Sequence, residues 1–315
     1  MVKKRHFIIV ISILLVGLIL GSFFDLEINK AIFSENNTFS LIMASFATYP
    51  GYGGLAFIGG GFFGTTFKRK DMHIGLKILS YFLSVLAYGM SVWLCAKDMP
   101  SVNGFNNPAL TVPSYLIAAL VFAGIFYFAF SVTKRGDRQR LWIALMVMAV
   151  IFVVGLLPVG FIVKRIMHRP RYRFFVRTNP DLFHNWWERF ADYKSVLYDA
   201  DGNAVKIGAN TMTSEEFKSF PSGHSGTAAI VMMFLPYMSI FFPKLKGKET
   251  LFFYIGFGWT LVMMFSRMLC GAHYLTDTCM GALIVLIVFF AVHVFTVKKG
   301  WIYKEEENIK QKQTK

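Results

Sequence analysis

The sequence predicts an all-α membrane protein: a polytopic bundle of about eight transmembrane helices, with a loop cap between the fifth and the sixth. Its 315 residues are 55% hydrophobic, include 34 Phe and have a mean hydropathy of +0.49, too apolar for a soluble domain with a wet surface. A helix needs ~20 apolar residues to cross a bilayer. Long apolar runs lie at 7–24, 41–67, 78–96, 115–132, 141–163, 226–242, 251–265 and 279–297. The short run 251–265 can extend through Met268 and Leu269.

Positive charge is spread unevenly over the loops of this bundle. The basic clusters are Lys3, Lys4 and Arg5; Lys68, Arg69 and Lys70; Lys134, Arg135, Arg138 and Arg140; Lys244, Lys246 and Lys248; and Lys298 and Lys299. Short basic loops stay in the cytoplasm, so we expect both termini to be cytoplasmic. The net charge of +15 then mostly reflects topology, not nucleic-acid binding. The first run could instead be a signal peptide, because Lys3, Lys4 and Arg5 precede it. No small-x-small cleavage site follows before Asp25, so we expect an uncleaved first helix.

The second run is rich in glycine but lacks the following Lys-Ser/Thr of a phosphate-binding loop, so its glycines predict close helix packing. They are Gly51, Gly53, Gly54, Gly59, Gly60, Gly61 and Gly64. The three cysteines show no CxxC or Cys/His spacing, so neither a zinc site nor a disulfide framework is expected.

An Arg-rich segment, KRIMHRPRYR at 164–173, follows the fifth run. Lys164 and Arg171 are seven residues apart, close to two helical turns, so both could face one direction if the helix continues past Pro170. Such cations could bind a phosphate group. Cations at a helix end that extend toward the membrane interface are the alternative.

The motif PSGH at 221–224 precedes the sixth run. Ser222 suits an N-cap, which leaves the amides of Gly223 and His224 free to point at an anion. Gly223 allows close backbone approach, and the helix dipole favours negative charge at this position. An ordinary helix start is the alternative.

The third motif is SRMLCGAHYLTD at 266–277. His273 and Asp277 are at i and i+4, so on a helix Asp277 could accept a hydrogen bond from one imidazole nitrogen and leave the other as a nucleophile. Arg267 would supply another phosphate contact, and Ser266 would end the seventh helix. A purely structural His–Asp pair is the alternative.

Two of the seven histidines remain as candidates for a catalytic role. His6 and His73 lie at cytoplasmic ends, His184 is in a long loop, and His293, twenty residues after His273, would lie about 30 Å along the helix, near the opposite membrane face. His168 is treated as a spacer in the Arg-rich run, which leaves His224 and His273. By the predicted topology, all three motifs fall on the extracytoplasmic side.

Together these motifs resemble the three signatures of the type 2 phosphatidic acid phosphatase superfamily. That superfamily includes lipid phosphate phosphatases, phosphatidylglycerophosphatases, undecaprenyl diphosphatases and vanadium haloperoxidases. The second and third motifs match fully. The first departs from the family pattern, because Tyr172 follows Arg171 where the family usually has proline, and Arg169-Pro170 offers that dipeptide two residues early.

The resemblance implies a hydrolysis through two histidines, and no cofactor is expected. His273 would attack phosphorus and form a phosphohistidine, Asp277 would orient it, and His224 would act as acid and then as base. The phosphate-binding groups would be Lys164, Arg171, Ser222, Gly223 and Arg267. No acidic cluster accompanies the motifs, so no catalytic magnesium site is expected and activity should survive a chelator.

The expected partners are the bilayer and a membrane lipid phosphate: phosphatidylglycerophosphate, phosphatidate or a polyprenyl diphosphate. A phosphotransferase and a non-catalytic transporter of anionic lipids are the alternatives. A transporter predicts ionisable residues near midplane on several helices, and these runs contain almost none.

The predicted organisation has three parts. Residues 1–139 are N-terminal transmembrane helices of unassigned role, 140–299 are a catalytic core with an extracytoplasmic cap at 172–219, and 300–315 are a charged cytoplasmic tail. The cap contains four aromatic residues that suit either the membrane interface or a small core of the cap: Phe183, Trp186, Trp187 and Phe190.

Overall fold

The computed structural model describes residues 2–35, 37–97, 108–178, 182–198, 202–203, 206–207, 210–211 and 213–301. Within these residues the fold is almost entirely helical. The helices are Lys4–Ile32 (α1), Thr38–Phe46 (α2), Tyr49–Thr66 (α3), Ile74–Ala96 (α4), Thr111–Thr133 (α5), Arg138–Leu157 (α6), Lys164–Met167 (α7), Tyr172–Arg177 (α8), Tyr193–Leu197 (α9), Gly223–Phe241 (α10), Glu249–Leu269 (α11) and Leu275–Lys298 (α12). The strands Lys206–Ile207 (β1) and Asn210–Thr211 (β2) form a short antiparallel ladder.

Among the described residues, eight helical segments are long and apolar enough to cross a membrane, which confirms the predicted helix bundle. They are α1, α2 with α3, α4, α5, α6 with its continuation to Arg177, α10, α11 and α12. The run 251–265 does extend through Met268 and Leu269 in α11. Most of the predicted tail at 300–315 and parts of the predicted cap lie outside the described residues.

The end of α11 differs from the prediction, since the helix passes Ser266 and continues to Leu269. The Ser266 hydroxyl donates to the carbonyl oxygen of Met263 (2.7 Å), a bond to the preceding turn that accommodates serine inside a helix. Gly271 marks the end instead, because its φ of +62° is a left-handed conformation that favours glycine just after a helix.

A π-helical turn, Pro158–Ile162, interrupts the helix after α6. Proline has no N–H to continue an α-helical ladder. The Val163 N–H reaches back five residues to the carbonyl oxygen of Pro158 (3.1 Å). This change of pitch sets the direction in which α7 and its cations approach the end of the bundle.

The helix does not continue past Pro170, so the condition under which Lys164 and Arg171 would share one helix face is not met. Helix α7 ends before His168, whose φ of +51° is left-handed. Pro170 disfavours a helical conformation of the residue before it, and the chain stays outside any helix until α8 begins. Arg171 still lies close enough to Lys164 to act on it electrostatically. A bend in the backbone between α7 and α8, and not a shared helix, brings the two residues together.

Glycine lets α3 approach its neighbours closely, as predicted. A Cβ on Gly60 would lie 2.1 Å from the carbonyl oxygen of Phe126 in α5, and one on Gly51 would lie 2.4 Å from that of Thr227 in α10. Both distances are too short for any side chain. The α3 helix therefore packs directly against the first turns of α10.

Helix α1 packs antiparallel along α12. At one end His293 Nε2 contacts the carbonyl oxygen of Val2 (3.2 Å), and at the other Asn29 Nδ2 donates to that of His273 (3.2 Å). His293 therefore lies at the opposite end of the bundle from His273, as predicted. The first helix is thus in direct contact with the third sequence motif.

The segment between α8 and α10 packs on the same end of the bundle as His273. Phe183, Trp186 and Phe190 each pack against another aromatic ring of the protein. Trp187 packs edge-on against Trp186 but is 53% exposed. Packing inside the protein therefore accounts for most of the aromatic residues of the predicted cap, and the position of this segment outside the cytoplasm stays a prediction.

Candidate active site

Segments that are distant in the sequence meet at this end of the bundle. The Ser222 N–H, at the start of α10, donates to the carbonyl oxygen of Asp277 in α12 (2.9 Å). A Cβ on Gly223 would lie 3.4 Å from Lys164 Nζ, so the Arg-rich segment borders the same turn. The three predicted motifs are therefore neighbours in one site.

The PSGH motif begins α10 as predicted. Ser222 is the N-cap, and its Oγ accepts a hydrogen bond from the Ser225 N–H (3.3 Å). Amides of a first helical turn have no acceptor within the helix, and the helix dipole favours an anion there. Ser222 is buried whereas Gly223 is partly exposed, so an anion can reach this turn at the Gly223 amide.

Gly281 brings α12 against the PSGH turn. A Cβ on Gly281 would lie 2.2 Å from the carbonyl oxygen of Ser222, so no other residue fits without moving one of the two helices. Asp277 lies one helical turn earlier in α12. The close contact therefore holds the second and third motifs in a fixed relation.

His273 lies in the turn between α11 and α12 and is 1% exposed. Burial lowers the pKa of its imidazole to about 3; Asp277 opposes this shift, while Arg171 and Lys164 add to it. The imidazole is therefore neutral at pH 7. Its Nδ1 lies 2.7 Å from the carbonyl oxygen of Ser219, which can only accept, so Nδ1 carries the hydrogen. This bond leaves the lone pair on Nε2, as a nucleophile requires.

Asp277 orients His273 differently from the prediction. The two side chains are 3.8 Å apart (Nδ1 to Oδ2), too far for a hydrogen bond, because His273 precedes α12 and does not share a helix face with Asp277. Asp277 Oδ2 instead accepts bonds from the Ser219 hydroxyl (2.5 Å) and the Tyr274 N–H (2.8 Å). Asp277 thus holds two groups beside His273: Ser219, whose carbonyl oxygen binds the imidazole, and the backbone N–H of Tyr274, the next residue.

Arg267 places a buried positive charge in the site. It is 3% exposed, and its Nε and Nη1 have no hydrogen-bond partner among the described residues. Arg267 and His273 both lie close enough to His224 to act on it electrostatically, as do Lys164 and Arg171. The neutral imidazole of His273 and the unpartnered guanidinium donors of Arg267 thus both lie near His224, and an oxyanion such as phosphate could bind such donors.

Family comparison agrees with this geometry. The sequence model of the PAP2 superfamily matches residues 140–301, just over half of the 315-residue chain. The chain belongs to the PAP2 superfamily. No curated protein and no solved structure matches it. The superfamily generally comprises phosphatases, so membership supports a phosphoric ester hydrolase. The eight apolar helices in the described part of the chain fit a multi-pass membrane protein.

In this PAP2 superfamily protein, Arg169 is engaged elsewhere and cannot serve as a phosphate ligand. Its guanidinium is 1% exposed and forms ion pairs with Asp277 (2.6 Å) and Asp25 (2.9 Å). It also stacks on the ring of Tyr274, 4.1 Å from the centroid. This occupancy favours the register in which Lys164 and Arg171, not Arg169, carry the first motif.

Arg171 is anchored beside the site by its neighbours. Its Nε donates to the carbonyl oxygen of Glu215 (2.9 Å), and its N–H donates to that of Glu216 (2.8 Å). Arg173 and Glu216 form a buried ion pair at 2.7 Å. Burial acts to raise the pKa of Glu216, but the Arg173 guanidinium outweighs it and holds this pKa below its usual value. The pair therefore stays charged and keeps Arg171 in place.

Sequence reasoning missed three residues of this PAP2 site. Ser219 precedes the PSGH motif and carries no recognisable signal. Arg169 lies in a run of similar cations, and its proline dipeptide pointed to phosphate rather than to a carboxylate. Asp25 follows directly after the first apolar run, and a carboxylate at the end of a membrane helix could have been recognised as needing a buried partner.

Proposed function

We propose that this protein is an integral membrane phosphatase that hydrolyses a lipid phosphate or diphosphate through a phosphohistidine on His273. The observation that carries the proposal is the buried Arg267 guanidinium with two unpartnered nitrogens among the described residues. A buried cation without a countercharge is strongly unfavourable. A phosphate group held beside His273 would supply both the acceptors and the charge.

Two histidines would divide the chemistry. His273 Nε2 attacks phosphorus in line, and the N–P bond forms while the bond from phosphorus to the leaving oxygen breaks. The charge of the bound phosphate favours protonation of His224, which gives this proton to the leaving oxygen and then takes one back from the water that attacks the phosphohistidine. Inorganic phosphate leaves, and both imidazoles return to their starting states. The donors to the remaining phosphate oxygens are Lys164, Arg171, Ser222, the Gly223 amide and Arg267.

A lipid substrate suits a site at the ends of apolar helices. Phe265, two residues before Arg267 in α11, is 47% exposed, and Ile42 in α2 is 54% exposed. Such side chains face hydrocarbon in a membrane protein, so a headgroup could enter the site while its tails stay in the bilayer. Phosphatidylglycerophosphate, phosphatidate and polyprenyl diphosphates are the substrates that we propose to test.

A panel of these lipids tests the hydrolase directly. Purified protein in detergent should release inorganic phosphate from at least one of them, and release should continue with EDTA present because the proposed steps use no metal. Arg267→Gln should lower the rate about 10²- to 10³-fold, since it removes preorganised positive donors. Phosphate release is measured colorimetrically.

The possible results separate the alternatives. Wild-type protein that releases phosphate from no lipid would contradict the hydrolase. Phosphorylation of an added acceptor alcohol in place of free phosphate would indicate a transferase. Full activity of Arg267→Gln would mean that the unpartnered guanidinium does not bind the substrate.

We also propose that the site faces the extracytoplasmic side. Lys68, Lys70 and Arg138, from two different basic loops, line one cavity at the opposite end of the bundle, which supports a cytoplasmic location for that end. Ser195→Cys should react with a membrane-impermeant maleimide on intact cells. The three native cysteines are buried and give little background.

The matched control is Lys70→Cys, at an exposed position in a basic loop. It should react only after permeabilisation. The reverse pattern, with Lys70→Cys labelled on intact cells and Ser195→Cys protected, would overturn the orientation.

A further inference from the structure

Helix α1 places two buried polar side chains at the end of the bundle that holds the site. Asp25 is 3% exposed and Asn29 is 0% exposed, and the two lie one helical turn apart near the C-terminal end of α1. Both lie outside residues 140–301, the part of the chain that the family model matches. Buried carboxylates and amides at membrane depth are costly unless they are partnered, so their contacts indicate what they do.

Asp25 binds the start of α12. Its Oδ1 accepts a hydrogen bond from the Thr276 N–H (3.1 Å), and its Oδ2 accepts a short one from the Thr276 hydroxyl. Thr276 directly precedes Asp277. The carboxylate of α1 therefore fixes the backbone from which Asp277 projects.

Asp25 also binds Arg169, which lies between two carboxylates. Nη2 of Arg169 donates to Asp25 (2.9 Å), while Nη1 donates to Asp277 (2.6 Å) and to the Thr276 hydroxyl (2.8 Å). Losing the Asp25 charge would leave the guanidinium held by one carboxylate, so that it could turn toward Asp277 and change how Asp277 holds Ser219.

Asn29 completes the contact between α1 and the site. Its Nδ2 donates to the backbone carbonyl oxygen of His273 (3.2 Å). The first helix thus reaches the turn that holds His273 by two routes. Asn29 contacts that turn directly, and Asp25 reaches it through Arg169 and Asp277. Two residues of one helix face are therefore both linked to His273, Asn29 at its backbone and Asp25 through the groups around its side chain.

We propose that Asp25 is a positioning residue of the active site, and that α1 is part of the catalytic unit rather than an accessory transmembrane helix. Asp25 acts through Arg169 and Thr276: it holds Asp277 and, through Ser219, the orientation of the His273 imidazole. The inference rests on the proposed phosphatase function, in which His273 is the nucleophile.

Asp25→Asn tests this role, because it keeps the shape of the side chain and removes its charge. The expected result is a kcat about 10- to 100-fold lower with KM changed little, since the nucleophile is misplaced while the phosphate donors remain. The double variant Asp25→Asn/Arg169→Gln should match Arg169→Gln alone within about twofold, because both changes break one network. An unchanged kcat for Asp25→Asn would overturn the inference. So would a double variant whose loss of kcat equals the product of the two single losses.

Ser84→Ala is the control for a loss of stability alone. Ser84 Oγ donates to the carbonyl oxygen of Gly59 (2.7 Å), a buried contact between α4 and α3 outside the site. Its thermal midpoint should fall without a change in kcat. Thr276→Val serves if Asp25→Asn does not fold, since it removes the hydroxyl that bonds both Asp25 and Arg169. Its kcat should fall about tenfold, and wild-type kcat would equally overturn the inference.

A readout without substrate separates this inference from the proposed function. In protein labelled with ¹⁵N-histidine, wild-type His273 should show one neutral tautomer with Nδ1 protonated, assigned by its loss in His273→Gln. Asp25→Asn should broaden or shift that signal, and Ser84→Ala should not. If no lipid is hydrolysed, the proposed function fails, and an unaltered His273 signal in Asp25→Asn would refute the positioning role independently.

Discussion

Replacing His273 with alanine should lower phosphate release by about 10⁴-fold or more, the largest effect expected of any single substitution, because it removes the proposed nucleophile. Wild-type protein quenched with alkali after reaction with ³²P-labelled substrate should carry a label that is stable to alkali and released by acid, as a phosphohistidine is. His273→Ala should carry none. Both measurements use the substrate that the lipid panel identifies.

The geometry explains why this loss should be so large and nearly independent of pH. The Ser219 carbonyl oxygen holds Nδ1–H of His273, and burial keeps the imidazole pKa at about 3. The protonated, unreactive form gains population only as the pH falls toward that value. Between pH 5 and pH 8 the nucleophile is therefore already in its reactive form, and any acidic limb of the rate profile in that range should come from another group or from the substrate.

His73→Ala is the matched control for this substitution. His73 is an exposed N-cap of α4, at the end of the bundle away from the site, where its Nδ1 accepts from the Gly75 N–H (3.2 Å). Losing a cap costs about 1 kcal/mol of stability but should leave turnover unchanged. A labelled phosphoenzyme in His273→Ala, or equal losses in the two variants, would remove His273 from the proposed role.

The sequence predicts the transmembrane segments well for a physical reason. A chain in lipid must satisfy its backbone hydrogen bonds internally, so long apolar runs become helices almost regardless of tertiary context. The shortest apolar run of the sequence, 251–265, is part of the 21-residue helix α11. The motif residues His224, His273 and Arg267 could likewise be selected by residue type and order, and the fold brings them together.

Contacts within the site could not be predicted to the same degree. The spacing of His273 and Asp277 implies a hydrogen bond only if both are helical, and α12 begins after His273. Pro170 similarly breaks the assumed helix between Lys164 and Arg171. Asp25 and Arg169 are 144 residues apart, and their pairing depends on how α1 packs against α12, which no local pattern contains.

Replacing His224 with alanine should produce the second largest loss, and its size should depend on the leaving group. For a lipid phosphate the leaving alkoxide needs a proton, so loss of the general acid should cost about 10²- to 10⁴-fold. For p-nitrophenyl phosphate the leaving phenolate is stable without a proton, and phosphorylation of His273 should be much less affected. Stopped-flow absorbance measures this step as the release of p-nitrophenolate.

The second half of the reaction makes the test of His224 specific. Without a base to activate water, the phosphohistidine should accumulate, so His224→Ala should give a burst of about one p-nitrophenolate per protein followed by slow turnover. Added imidazole, which can act as a diffusible base, should speed the slow phase but not the burst. His273→Ala should show no burst, because this variant lacks the imidazole nitrogen on which the phosphoenzyme would form. A loss in His224→Ala that is equal for both leaving groups, with no accumulated phosphoenzyme, would mean that His224 only binds phosphate and that another group carries the proton.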